Sequence, residues 1–358
     1  MSIMVSGDLK QYVFEKFDGE AIYKSILPSI RLGGLEVSKA FIPIDLVLPG
    51  EIEISKALLE LAIKSQRERF TWRLKVNGVP VTREFKPNSI AETKNYLFSK
   101  LVYDITPIMQ ARKRRRHRCN ILVKYEGSEY LTIEHVGLLL YIPSEDAKSH
   151  ISLLSGALAL EPGEVYRSIL KHPTGLKTVG QLRVALFSPS TQAEINIRFN
   201  GKFETSISSI VGGEEAILEV SNVNEVNTIE IDHVDTGATY YPKELLVSSL
   251  YLQQSIYCEP KLSIKEIIIP ENLESSDKIR LVITNEGESV PDKSILTIIH
   301  LGTTIYREDL PNLEPGEETI VEPEIKLPKG EHPLVIRLIW KKLSRTTFID
   351  KKIILNIS

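Results

Sequence analysis

Short segments in which apolar and polar residues alternate run through most of the chain. Two of them share a pattern: ALLELAIKSQRERFTWRLKVNGVPV from Ala57 and LRVALFSPSTQAEINIRFNGKF from Leu182. In each, one alternating segment ends in a serine and a second ends in Asn-Gly at the same spacing. A period of two is typical of β-strands with one buried face, and Asn-Gly suits the type I′ turn of a tight hairpin. The shared pattern predicts a duplicated, strand-rich unit.

Further strands complete each copy. The closing segments are HVGLLLYIP from His135 and ELLVSSLYL from Glu244, and each follows another apolar segment. Residues 54–67 also fit a helix, because several of their apolar side chains would share one helical face. The matching segment of the second copy has strand-type residues, so we predict a strand for both.

A different pattern begins near Pro260. Short alternating segments recur at intervals of roughly 8 to 15 residues with Gly, Pro and Asn between them, which is typical of an antiparallel sandwich. We therefore predict an all-β chain of three consecutive antiparallel β-sandwich domains. Two are duplicated jelly-roll-like domains at 1–147 and 148–259, and the third is an immunoglobulin-like domain at 260–358.

Two family resemblances follow from these segments. The C-terminal domain resembles the CARDB-type immunoglobulin-like domain, through LVITNEGE at 281–288, LEPGEE at 313–318 and GEHPLVIRL at 330–338. The first two units resemble galactose-binding-like jelly-roll domains, through LKVNG at 74–78, LVYDITPIM at 101–109 and the closing HVGLLLYIP. The second unit lacks a clear counterpart of YDIT. Both resemblances imply binding or adhesion modules, and fold alone does not identify a ligand.

Composition limits the classes of function. The 358 residues include 44 basic and 47 acidic ones, so the near-zero net charge gives no global attraction to nucleic acid or anionic lipid. The N-terminal segment lacks the apolar core of a signal peptide, and apolar runs are too short to span a membrane. We expect a cytoplasmic protein without membrane insertion, extracellular only by unconventional export. The abundance of Ile, Lys and Glu favours a thermophilic source with an archaeal-like composition.

The strongest local charge signal is the basic run ARKRRRHR. Its candidate binding residues are Arg112, Lys113, Arg114, Arg115, Arg116, His117 and Arg118. On a loop they would attract phosphates, acidic sugars or a carboxylate-rich partner surface. The alternative is a solvated loop that pairs with neighbouring carboxylates or protects a sheet edge. Aromatic residues are not interleaved with the arginines, which disfavours single-stranded nucleic acid.

Aromatic residues give a second candidate site. Tyr240 and Tyr241 precede Pro242 in a loop-like segment, where their rings could stack on a sugar. Trp72, Tyr141 and Tyr251 lie among aliphatic residues, which favours core packing.

Motifs of catalysis are absent from the sequence. There is no GxSxG, GxGxxG, phosphate-binding GxxxxGK[ST] or HExxH, and seven histidines are scattered. We therefore expect no catalytic residues, no metal ligands and no cofactor, although calcium at carboxylates such as Asp232 and Asp235 stays open. Cys119 and Cys258 are too few for a disulfide framework, and a single bridge between them also stays open.

These observations favour a non-enzymatic interaction or scaffold protein, a protein-binding subunit of an assembly. The first alternative is a carbohydrate-binding protein that uses a jelly-roll face. The second is nucleic-acid or phosphate binding through residues 112–118. We thus expect a protein partner first, a glycan second and a nucleic acid third. The sequence does not indicate the oligomeric state.

Overall fold

A computed structural model describes residues 6–46, 53–111, 118–270 and 278–357. These residues form antiparallel strands and one short helix, which confirms the prediction of an all-β chain built from antiparallel sandwiches. The described chain divides into two compact units, one that ends at Ile256 and one that begins at Tyr257.

The described residues of the first unit form seventeen strands and one short helix. They are β1 (Ser6–Ile26), β2 (Ile30–Gly33), β3 (Lys39–Asp45), β4 (Lys56–Ser65), β5 (Thr71–Val76), β6 (Val79–Glu84), β7 (Ser89–Glu92), β8 (Leu97–Asp104), α1 (Thr106–Gln110), β9 (Arg118–Lys124), β10 (Tyr130–Leu160), β11 (Val165–Lys171), β12 (Gly180–Ser188), β13 (Glu194–Phe199), β14 (Lys202–Ile207), β15 (Gly212–Val220), β16 (Val226–Val234) and β17 (Leu245–Tyr257). Residues 54–67 contain β4, as expected for a strand rather than a helix.

A nine-stranded sheet joins both copies of the duplicated pattern. Its path is β15-β12-β17-β10-β4-β8-β7, and β1 and β2 also pair with β10. Two four-stranded sheets have the same arrangement of strands, β3-β9-β5-β6 and β11-β16-β13-β14. We call the strands from β2 to the first half of β10 the first repeat. Those from the second half of β10 to β17 are the second repeat.

The boundary predicted between residues 147 and 148 falls inside β10. Pairing with β1 moves from Lys148 opposite Asp18 to Pro143 opposite Gly19, so residues 144–147 form a bulge in one long strand. Gly19 has φ 146°, and a Cβ there would lie 2.2 Å from the Ile142 carbonyl oxygen. The polar PSED segment therefore interrupts the pairing without ending the strand.

The two Asn-Gly hairpins form as predicted. Asn77 and Gly78 have φ of 51° and 83° between β5 and β6, and Asn200 and Gly201 have φ of 50° and 77° between β13 and β14. Positive φ at both central residues is the type I′ geometry that matches the twist of the flanking strands.

The predicted core aromatics are buried. Trp72, Tyr141 and Tyr251 each expose 1% of their surface. Where β1 meets the two repeats, the Tyr23 and Tyr251 rings stack with centroids 4.5 Å apart, and Phe17 meets Tyr141 edge-on at 4.9 Å. Rings in these arrangements stabilise the contact beyond the area they bury.

A fully buried ion pair lies in the same contact between the repeats. Lys100 of β8 and Glu60 of β4 are each 0% exposed, with Nζ and Oε1 3.1 Å apart. The Tyr23 hydroxyl donates to Glu60 Oε2 at 2.8 Å and lies 3.1 Å from the Ser249 hydroxyl of β17. The charges are thus compensated within a polar network that both repeats contribute to.

His135 extends this network. Lys100 Nζ lies 3.1 Å from His135 Nδ1 and 2.7 Å from the Ser248 hydroxyl. Because a lysine ammonium only donates, Nδ1 accepts and the ring proton is on Nε2, which faces the Ser25 hydroxyl at 3.1 Å. Burial, followed by the positive charge of Lys100, holds the pKa of His135 well below its usual range. The ring is therefore neutral.

The repeats place different residues at matching positions in this contact. Glu60 and Arg183 each precede the serine of the repeat pattern by five residues. Glu60 pairs across the sheet with Gly137, whereas Arg183 pairs with Tyr251. A Cβ at Gly137 would lie 2.8 Å from Glu60 Oε2, so the glycine leaves room for the ion-pair network. Arg183 instead pairs with Glu215 at 2.6 Å.

The second unit is a sandwich of two sheets, β18-β19-β22 and β21-β20-β23-β24. Its strands are β18 (Leu262–Ile268), β19 (Arg280–Asn285), β20 (Lys293–His300), β21 (Thr303–Leu310), β22 (Glu318–Val321), β23 (Gly330–Lys342) and β24 (Arg345–Ile357). The buried Trp340 indole donates to the Pro260 carbonyl at 3.0 Å. The Asn285 side-chain amide donates to the carbonyls of Ser289 and Leu313, which fixes two loops.

Neither cysteine forms a disulfide, so the bridge left open by the sequence is absent. Cys119 is buried in β9 and Cys258 is half-buried. Across the described ranges, no helix has the length and apolar character needed to cross a membrane.

Candidate functional site: a tyrosine-lined cleft in the first unit

A cleft of about 490 Å³ opens where the start of β10 meets the loop between β16 and β17. We call it the tyrosine cleft, because its lining includes Tyr96, Tyr130 and Tyr241. Its volume falls within the roughly 300–1,000 Å³ of small-molecule sites. Tyr241 comes from the second repeat and the other two tyrosines from the first, so the cleft depends on the packing of the repeats.

Strand alternation places one wall of the cleft. Tyr130, Thr132 and Glu134 of β10 line it, whereas the intervening Leu131 and Ile133 are buried. Successive side chains of a strand point to opposite faces, so the sequence YLTIE supplies polar groups to the cleft and apolar ones to the core.

Neighbouring strands place two cations beside this wall. Thr132 pairs with Arg31 of β2 on one side and with Lys64 of β4 on the other. The register shifts between Ile133 and His135, which makes Glu134 the extra residue of a bulge. Bulges redirect side chains and are frequent beside functional sites.

Lys64 and Glu134 form the charged centre of the cleft. Lys64 Nζ lies 2.8 Å from Glu134 Oε1, and the Glu134 side chain is only 5% exposed. The ammonium also lies 5.4 Å from the centroid of the Tyr96 ring and 5.7 Å from that of Phe187. These contacts hold a donor and an acceptor in fixed positions, where they can bind the hydroxyl groups of a ligand.

The tyrosine rings differ in exposure. Tyr241 is 73% exposed and Tyr130 48%, and the Arg31 guanidinium lies 4.5 Å from the Tyr130 centroid. Burial, followed by the negative charges of Glu244 and Glu134, raises the pKa of Tyr96. Its phenol stays protonated at neutral pH and keeps its capacity to donate a hydrogen bond.

One polar atom of the lining lacks a partner. The Asn95 Nδ2 amide nitrogen is buried and has no hydrogen-bond partner among the residues that the structure describes. Asn95 contributes its backbone carbonyl instead, which accepts from Gln66 Nε2 at 2.9 Å. An unsatisfied buried donor is costly, and a hydrogen-bond acceptor that reached it would remove that cost.

The residues singled out in the sequence fall in different places. Tyr241 lines the cleft, whereas the Tyr240 hydroxyl lies 3.0 Å from His233 Nε2 and the residue is absent from the described lining. Arg118 pairs at the surface with Asp45, Nε to Oδ1 2.6 Å. Residues 112–117 of the basic run lie outside the described residues. The structure thus joins Tyr241 to residues that sequence reasoning missed, of which only the alternation of YLTIE gave a signal.

Comparisons with known proteins give matches only among solved structures. No family model matches the chain, and no curated protein does. A β-galacturonidase from Eisenbergiella tayi matches 58% of this chain and 35% of its own length, at 11% identity and a TM-score of 0.22. A β-glucuronidase from Ruminococcus gnavus matches 57% and 36%, at 12% identity and 0.19. A glycosyl hydrolase family 2 member from Bacteroides cellulosilyticus matches 58% and 28%, at 14% identity and 0.21.

These matches correct two expectations. The chain was expected to be a non-enzymatic protein-binding scaffold and not an enzyme, but the three matching solved structures named above are glycosidases. Neither expectation is retained. The matched part covers about a third of each of these proteins, and at this identity and TM-score the likeness assigns no activity or substrate to the chain.

Proposed function

We propose that the chain binds carbohydrate in the tyrosine cleft. One observation carries this proposal: three tyrosines, the Lys64–Glu134 pair and Asn95 line the same cleft, and the Asn95 amide nitrogen has no hydrogen-bond partner among the described residues. A site of this kind combines flat apolar surface with a few fixed polar groups, the usual composition of a small-molecule site.

The chemistry of a sugar ring matches this lining. A pyranose presents C–H groups on its faces and hydroxyl groups around its edge. The exposed rings of Tyr241 and Tyr130 offer π-faces of negative potential to such C–H groups. Lys64 and Asn95 donate and Glu134 accepts, so hydroxyl groups of either hydrogen-bonding role find a partner.

The family resemblances support the same class of function. We infer that the two repeats are jelly-roll domains of the galactose-binding-like kind and that the second unit is a CARDB-type immunoglobulin-like domain. The strand order shared by β3-β9-β5-β6 and β11-β16-β13-β14 supports the first inference. A carbohydrate-binding role was the first alternative on sequence grounds, and the cleft now supplies its residues.

Replacement of Tyr241 by alanine is expected to weaken saccharide binding by about tenfold, because one stacking ring is lost. The free energy of unfolding should change by less than about 0.5 kcal/mol, since the ring is mostly exposed. A glycan array on the purified chain identifies bound saccharides, and isothermal titration calorimetry then compares wild type with Tyr241→Ala.

Phe41→Ala is the matched control, because Phe41 is also an exposed aromatic, at 63%, but is not among the described residues of the lining. It should bind as wild type does. The proposal fails if no saccharide binds wild type, or if Tyr241→Ala and Phe41→Ala bind the saccharide equally well.

A further inference from the structure

A second pocket of about 430 Å³ is lined by residues of two loops that also contribute to the tyrosine cleft. The loop between β4 and β5 contributes Gln66 to the cleft and Arg67 to the pocket. The loop between β9 and β10 contributes Ser128 to the pocket, and Tyr130 follows in the cleft. Arg67 NH2 lies 2.7 Å from Glu129 Oε1, so an ion pair joins the two loops. We call the second depression the arginine pocket.

The arginine pocket carries an excess of positive charge. Four basic residues line it, and two of them are neutralised: Arg67 by Glu129, and Lys124 by Glu126 at 2.6 Å. Within the described ranges, the other two, Arg69 and Arg73, have no carboxylate within ion-pair distance. Both guanidinium groups are exposed and available to an anionic ligand, and the charge of Arg73 also acts on the Glu126 carboxylate of the same lining.

Aromatic packing forms the base of this pocket. The Phe70 ring stacks on Phe85 with centroids 3.9 Å apart and meets Tyr125 at 5.0 Å. Gly127 lies against the Tyr125 hydroxyl, because a Cβ at this position would be 2.0 Å from that oxygen. A larger residue would displace the tyrosine, so the glycine keeps the base of the pocket in place.

We propose that the arginine pocket binds an anionic group, a carboxylate or a sulfate, of the saccharide that occupies the tyrosine cleft. The ligand is then an acidic oligosaccharide that spans the Arg67–Glu129 pair. This inference rests on the proposed function of the cleft. Guanidinium groups donate two parallel hydrogen bonds to a carboxylate or sulfate, and such charge-assisted bonds are about twice as strong as neutral ones.

Calorimetric titration of the full chain with three probes tests this inference. The probes are trigalacturonate, a galactotriose that carries sulfate esters and no carboxylate, and the neutral galactotriose. Wild type should bind at least one acidic probe about tenfold or more tightly than the neutral one, and this preference should shrink as salt is raised. The acidic probe with the higher affinity identifies carboxylate or sulfate as the preferred group.

The double variant Arg69→Gln/Arg73→Gln should lose this preference and keep the wild-type affinity for galactotriose. Arg280→Gln/Arg307→Gln removes the same charge from exposed positions of the second unit and should retain the preference. Tyr241→Ala should lower the affinity for all three probes by a similar factor, since every probe occupies the cleft.

The outcomes separate this inference from the proposed function. Wild type that binds galactotriose as tightly as the acidic probes overturns the inference and leaves the cleft proposal intact. If Tyr241→Ala binds the acidic probe as tightly as wild type does, the ligand does not use the tyrosine cleft. This result overturns both the inference and the cleft proposal. Equal competition by inorganic phosphate or a single-stranded oligonucleotide would show a general anion site, which also overturns the inference.

Discussion

Lys100→Met is expected to lower the free energy of unfolding by about 3–5 kcal/mol, the usual cost of leaving one charge of a buried ion pair without its partner. Glu60 is fully buried and would retain only the Tyr23 hydroxyl as a donor. His135 Nδ1 would also lose the ammonium that lies 3.1 Å away. Urea denaturation at pH 7, followed by tryptophan fluorescence, measures the change.

Two further variants test whether the uncompensated charge of Glu60 causes the loss of stability. Glu60→Leu/Lys100→Met removes both charges, so it should recover at least half of the lost stability. Lys94→Met removes a lysine that is 72% exposed and paired with Glu161 at the surface, and should cost less than about 1 kcal/mol. Equal stability of Lys100→Met and Lys94→Met would show that the repeats do not bury this pair.

Protonation of one histidine is expected to lower the free energy of unfolding by about 3 kcal/mol between pH 7 and pH 4. Burial, followed by the nearby charge of His150, lowers the pKa of His172 to about 4. The unfolded chain, with a histidine pKa near 6.5, then binds more protons between pH 6.5 and pH 4. The stabilising contribution is therefore complete above pH 6.5 and is lost as the pH falls toward 4.

Unfolding free energies measured at several pH values between 7 and 4 check this slope. His172→Gln should flatten it, because glutamine can keep the hydrogen bond that His172 Nδ1 makes with the Ser152 hydroxyl at 2.9 Å and does not titrate. His135 titrates in the same direction, so part of the slope should persist in the variant. An unchanged slope in His172→Gln would contradict the assignment.

Local patterns predicted the strands well, because each signal depends on neighbouring residues alone. The alternation within β5 and the paired Asn-Gly turns follow from strand geometry and positive φ. The boundary at 147/148 was harder to place, since Pro143 and the polar residues after it have the composition of a linker. Only the pairing with β1 shows that they form a bulge within β10.

The candidate site was largely hidden in the sequence, because it depends on contacts between distant segments. Arg31, Lys64 and Thr132 become neighbours through strand register, which no single segment encodes. Tyr241 was identified from its loop-like surroundings, but its proximity to Tyr96 and Tyr130 depends on how the repeats pack. The buried ion pair, in contrast, left a signal in the sequence. Glu60 and Lys100 each interrupt an apolar strand, where an unpaired charge would be costly.

A crystal structure of the chain with the saccharide that binds most tightly on the glycan array tests the central claim most directly. We predict a sugar ring against the exposed faces of Tyr130 and Tyr241, with hydroxyl groups within hydrogen-bond distance of Lys64, Glu134 and Asn95 Nδ2. A saccharide bound at another surface of the chain, with none of these five residues in contact, would contradict the account.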